Sequence, residues 1–178
     1  SGGNLLISDT NGGNTDDAIT LSLNGSNVRI NDPNHVLSCT GGVSVDAHTC
    51  DIPLTSITGN IQFDGAGGSD TLTLALGGGN FLPQPGGVIY NGGDPTSAPG
   101  DQLIITGGNQ GTVTYNYINA HDGSVDMSNF GKVTYTGLEP ISNSGTATDI
   151  IFELPAGPNA ATLADDGTAG NAMSRLSA

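Results

Sequence analysis

Ile61-Gln62-Phe63-Asp64-Gly65, followed across Ala66 by Gly67-Gly68-Ser69-Asp70-Thr71-Leu72-Thr73-Leu74, is the stretch on which the reading of the fold turns. Apolar and polar residues alternate, the alternation breaks at glycines, and it resumes after an aspartate. Period-two alternation marks a strand with one buried face. Glycine permits positive φ at the corner between two strands, and an aspartate carboxylate can bind backbone amides there. The same unit recurs as Gly12-Gly13-Asn14-Thr15-Asp16-Asp17-Ala18-Ile19-Thr20-Leu21, and as Ile89-Tyr90-Asn91-Gly92-Gly93-Asp94 resuming at Gly100-Asp101-Gln102-Leu103-Ile104-Ile105. A strand ends in Asp/Asn-Gly, a glycine turn follows, and Asp-x-Leu/Ile opens the next strand.

Short alternating runs continue outward in both directions, among them Leu5-Leu6-Ile7, Val28-Arg29-Ile30, Val43-Ser44-Val45, Val113-Thr114-Tyr115-Asn116-Tyr117, Val133-Thr134-Tyr135 and Ile150-Ile151-Phe152. Stacking such units places each Leu/Ile in a common core, as in a repeat protein. The expectation is an all-β chain, 1–178 forming a single right-handed parallel β-solenoid or β-helix module with almost no helix. Asp17, Asp70 and Asp101 are unevenly spaced, and Pro83-Gln84-Pro85 and Asp94 to Pro99 read as insertions. A β-sandwich, which also uses short alternating strands and frequent turns, is the alternative.

Composition agrees with strands and tight turns. The chain holds 29 Gly, 11% charged residues and 4% aromatics, where ordinary domains have roughly 7% Gly and 25% charged residues. Seventeen acidic residues face three cations, Arg29, Lys132 and Arg175, for a net charge of -14. Such a surface repels nucleic acid and anionic lipid, and no run approaches the roughly 20 apolar residues of a membrane helix. Self-repulsion falls in salt or with bound cations, which points to calcium-rich or saline surroundings and to a secreted or cell-surface location. Ser1-Gly2-Gly3 at one end and Asn171 to Leu176 at the other read as the edges of a piece of a longer repetitive protein, so a signal segment could have been removed. Cys39 and Cys50, either side of Gly41-Gly42, are two small buried thiols or, in an oxidising compartment, a disulfide; the second reading is the expectation.

The Gly-Gly-x-Asp-x-Leu unit resembles the glycine- and aspartate-rich calcium-binding repeats of secreted hemolysin-type proteins. Asn91-Gly92-Gly93-Asp94-Pro95, Ala120-His121-Asp122-Gly123-Ser124, Tyr135 to Ile141 and Ala164 to Asn171 resemble a repeat module of very large bacterial surface proteins. That resemblance implies a β-solenoid and an adhesive or structural role. Here the units are isolated, whereas the hemolysin-type calcium sites need adjacent tandem copies.

Calcium, which takes six to eight oxygen ligands, is the candidate cofactor, with Asp16, Asp17, Asp64, Asp70, Asp94 and Asp101 bracketing the glycine turns as candidate ligands; the other reading makes each a turn or strand cap. Catalysis lacks a residue set. Glu139 and Glu153 are the only glutamates, His121-Asp122 and Asp126 lie near one loop, and three cations are too few for a lyase acting on acidic sugars. Carbohydrate binding would draw on Tyr90, Tyr115, Tyr117 and Tyr135, with no Trp to form a platform. The sequence therefore points to a non-catalytic structural or adhesive module whose partners are neighbouring copies or adjacent repeats and surface polysaccharide. A carbohydrate-active β-helix enzyme or carbohydrate-binding module is the alternative.

Overall fold

The computed structural model describes residues 3–10, 14–83, 85–94, 100–158, 160–170 and 174–177. Ser1, Gly2, Gly12, Gly13, Gln84, Pro95 to Pro99 and Asn171 to Met173, quoted above, lie outside the described residues. The strands are β1 (Leu5–Ser8), β2 (Ala18–Asn24), β3 (Asn27–Asn31), β4 (Val43–Asp46), β5 (Thr49–Pro53), β6 (Ile61–Gly67), β7 (Thr71–Ala75) and β8 (Val88–Asp94). They continue as β9 (Asp101–Thr106), β10 (Asn109–Tyr117), β11 (Gly123–Met127), β12 (Gly131–Thr136), β13 (Leu138–Asn143), β14 (Thr146–Glu153), β15 (Thr162–Asp165) and β16 (Ser174–Ser177). The helical segments among the described residues are the single 3-10 turns Leu54–Ser56 and Leu76–Gly78. The all-β expectation holds.

Two seven-stranded sheets enclose one core, a sandwich-like arrangement. One runs β1-β6-β8-β12-β11-β10-β14, the other β13-β9-β7-β2-β3-β5-β4, and β15 and β16 form a separate hairpin. Both large sheets are mixed. The first is parallel from β1 through β12, and the second from β13 through β2. Beyond these segments neighbouring strands run antiparallel through β2, β3, β5 and β4 and through β12, β11 and β10, and β14 then joins β10 in parallel. A uniform parallel solenoid is therefore not what the chain forms. At Gly25-Ser26 the chain turns back on itself, so that β3 pairs with β2 as a hairpin, whereas the equally short Gly107-Gly108 carries it from β9 in one sheet to β10 in the other.

Within the parallel segments the repeat unit sets the register. Ile19, Leu72 and Leu103 stack as one interior ladder, and Leu21, Leu74 and Ile105 as the next. From the other sheet, Ile61, Val88 and Val133 align, as do Phe63, Tyr90 and Tyr135. Phe63 and Tyr90 stack with ring centroids 5.1 Å apart. All of these side chains are buried, and each aliphatic contributes about 1.5–3 kcal/mol when removed from water. Glycines stand late in β6 and β8, where the next aspartate must fit. A Cβ at Gly65 would collide with the Asp70 carboxylate, and one at Gly92 with that of Asp101.

Cys39 and Cys50 are joined, their Cα atoms 5.8 Å apart, within the span disulfides allow. The bond fastens the 32–42 connection to β5. Replacing both cysteines by serine is expected to lower the unfolding free energy by roughly 2–3 kcal/mol. Urea denaturation of the double variant, compared with the oxidised chain, checks this.

A buried aspartate ladder and a candidate metal centre

The repeat aspartates occupy one position in three successive turns of the chain. Ala18, Thr71 and Gln102 are in register, so Asp17, Asp70 and Asp101 precede them in line. The Asp17 amide donates to Asp70 Oδ1 at 2.8 Å, and the Asp70 amide donates to Asp101 Oδ1 at 2.8 Å. Running the opposite way, Thr71 N–H donates back to the Asp17 carbonyl and Gln102 N–H to the Asp70 carbonyl. Tyr90 Oη reaches across from the opposite sheet to the Asp70 carbonyl at 3.0 Å. The fourth turn places Leu138 beside Asp101, and the series of aspartates stops there.

Asp70 is fully buried, and its Oδ2 has no hydrogen-bond partner. Burial pushes its carboxyl up to about 7, against the pull of the Asp17 amide and with help from the neighbouring Asp101 and Asp17 charges. Asp17 is raised to about 6, by burial first and then by the Asp32 carboxylate.

The six candidate ligands from the sequence do not converge. Asp16 accepts the Ser69 amide at 2.7 Å. Asp64 takes both oxygens to Gln62 Nε2 and receives Asn91 Nδ2 at 2.6 Å. Asp94 is exposed at the end of β8, where its carbonyl accepts the Gly68 amide. Asp70 and Asp101 serve the ladder. Among the described residues, the group of three or more side chains able to hold a metal ion is Asp17, Asp32 and His35, their donor atoms within 4.8 Å of one another. Only Asp17 belongs to both sets.

Asp32 and His35 arrive through the β2–β3 hairpin. Pairing of Thr20 with Asn31 brings the residue ahead of β2 and the residue after β3 to the same end of the sheet. Asp32 Oδ1 accepts the Asn34 and His35 amides at 2.8 and 3.2 Å, the local turn that Asp-Pro initiates. The turn points His35 back over Asp17. His35 Nδ1 lies 2.8 Å from Asp17 Oδ1 and 3.4 Å from Asp32 Oδ2, off the alignment of an N–H···O bond. His48 Nδ1 lies 2.8 Å from the His35 carbonyl and 3.0 Å from that of Asp32, bracing the turn. The centre opens on a cleft of about 240 Å³ lined also by Ile7, Asp9, Leu37 and Phe63. The signal that could have found it is Asn24-Gly25, a hairpin dipeptide between two strand runs, with acids at both outer ends.

The loop residues considered for catalysis are engaged in structure. Asp122 accepts Asn119 Nδ2 at 2.7 Å and the Gly137 amide at 3.0 Å, which hold its carboxyl below the usual range. Asp126 faces Lys132 across β11 and β12. No known protein family, curated protein or solved structure matches the chain.

Asp70 makes stability depend on pH in a definite direction. Between its ordinary value of 3.8 and its folded value of about 7, the folded state holds a proton that the unfolded chain has released. Stability is therefore greatest at the acidic end of that window and falls as pH rises through 7. Asp17 acts in the same sense. Unfolding free energies at pH 5.5 and 8 should differ by on the order of 2 kcal/mol in favour of pH 5.5. Asp70→Asn, which keeps the Oδ1 acceptor and removes the titration, should flatten most of that slope in chemical denaturation.

Proposed function

We propose that the chain is a non-catalytic structural or adhesive module of a bacterial extracellular or cell-surface protein, acting through association with neighbouring copies or adjacent repeats. The eight central parallel strands are read as four short coils of a β-solenoid, flanked by antiparallel wings. The observation that carries the reading is where the chain spends its chemistry. The repeat aspartates bind backbone amides between turns of the chain, while apolar surface collects on open sheet edges. Val43 and Val45 on β4 are 66% and 49% exposed, and Ile150 and Ile151 on β14 are 58% and 44% exposed. Among the described residues β4 and β14 are the last strands of their sheets, and an apolar edge strand is a template for another chain. The disulfide suits an oxidising, extracellular setting. The net charge of -14 opposes association at low ionic strength, and calcium is the cation proposed to relieve it. Surface polysaccharide is the second partner class.

Light scattering in matched chloride series tests the reading. Self-association is expected to rise with millimolar calcium more than with sodium at equal ionic strength. Ile151→Lys should suppress it, because a lysine on an edge strand blocks pairing. A chain that stays monomeric in every condition, or that releases new reducing ends from bacterial polysaccharides, would overturn the proposal.

A further inference from the structure

We propose that Asp17, Asp32 and His35 form a binding site for a transition-series divalent cation, zinc above all, that fastens the 32–40 connection onto the first turn of the chain. The site stands apart from the edge-strand association, so either can fail without the other. Three observations support it. The donor atoms come from two separate segments and meet within 4.8 Å. Asp32 is almost wholly buried, with Oδ1 committed to the Asn34 and His35 amides and Oδ2 turned to the side of His35 Nδ1. His35 Nδ1 is itself buried and close to both carboxylates without being aligned to either as a hydrogen-bond donor. Two carboxyl groups close enough to share a proton, with an unaligned imidazole nitrogen beside both, form a donor set that a cation can occupy in the proton's place.

The donor set selects the metal class. Calcium takes six to eight oxygens and magnesium keeps an octahedral shell of oxygen and water. An imidazole nitrogen with two carboxylates suits zinc, manganese or iron, and zinc accepts three protein ligands with a water in the remaining position. The adjoining cleft gives that water access. Second-sphere support is present, since the His35 backbone is braced by His48 and the connection is tied at Cys39. A bound cation would tie this connection to the start of β2, whereas His48 and the disulfide tie it to β5 and the turn before it.

Tag-free protein, stripped with a chelator and dialysed, is titrated calorimetrically with zinc, manganese and calcium chlorides, and cobalt(II) is followed by visible absorption. The expected result is one saturable zinc per chain, ligand-field bands with cobalt, and a melting temperature that climbs with free zinc as mass action requires. His35→Ala should lose affinity by more than the roughly 10–100-fold that removing an outer-shell partner costs, and should keep the far-ultraviolet spectrum of the parent, since the ring is 27% exposed and outside the core. His121→Ala should bind as the parent does. Asp17→Asn provides an isosteric second loss of ligand should His35→Ala unfold. The proposal is overturned by absence of saturable zinc binding, by unchanged affinity in both variants, or by calcium binding as tightly as zinc at the same residues.

Discussion

The amide of one aspartate bonded to the carboxylate of the next, from Asp17 to Asp70 to Asp101, fixes the interval at which the turns of this chain stack. It is a demanding contact. A carboxylate taken out of water costs several kcal/mol, and hydrogen bonds to charged groups return only about 1.5–3 kcal/mol each. The protein meets the difference by letting Asp70 take up a proton near neutrality and by surrounding it with well-packed aliphatic ladders. The same contact dictates sequence elsewhere. Gly65 and Gly92 must lack a Cβ because the carboxylates lie over them, and Tyr90 must carry a hydroxyl positioned to reach the Asp70 carbonyl.

A ladder of this kind cannot end itself, since its last rungs would expose both core and backbone. The two ends are closed by the same device on opposite sheets. Past β2, the strands β3, β5 and β4 fold back antiparallel; past β12, β11 and β10 do so, with β14 added in parallel. These wings extend each sheet beyond the edge of the other. The segment leading from β3 to β4 supplies cover, with Leu37 packed against the core and Leu37 N–H bonded to the Ala47 carbonyl. The disulfide holds that cover in place.

The central turns were legible in the sequence because their signals are local. Gly-Gly-x-Asp-x-Leu names the corner, the amide-binding aspartate and the first core residue within six positions, and Asp17, Asp70 and Asp101 do fall in register. Strand direction was not legible, because alternation reports which face is buried and says nothing of the neighbour's polarity. The short runs Val28 to Ile30 and Val43 to Val45 fit a parallel turn or a hairpin equally well, because two-residue links serve both: Gly25-Ser26 joins paired strands and Gly107-Gly108 crosses between sheets. Asp64 and Asp94 have sequence surroundings like those of Asp70 but different places: Asp64 lies within β6, where its carboxylate meets the side-chain amides of Gln62 and Asn91, and Asp94 is exposed at the end of β8. Asp32 and His35 were legible only through the hairpin signal between β2 and β3, because it is the hairpin that returns them to Asp17.

The end of the repeat also explains why the candidate centre is where it is. Asp70 and Asp101 each direct one carboxylate oxygen to the amide of the preceding turn. Asp17 belongs to the first such turn, so its amide is used by Asp70 while its carboxylate faces the β3–β4 connection in place of another rung. A residue selected for stacking is thereby released for a different task at one position only. The interior rungs have Gly65 and Gly92 at the corner ahead of them, but at the first turn the residue after the strand is Asp9, whose charge adds to that around Asp17. Charge that the interior rungs dilute among amides is concentrated here, and the structure answers it with the imidazole of His35. The irregular spacing of the units follows the same logic: the repeat is held by its rungs, and whatever lies between them is free to vary in length as long as the next aspartate returns to the line.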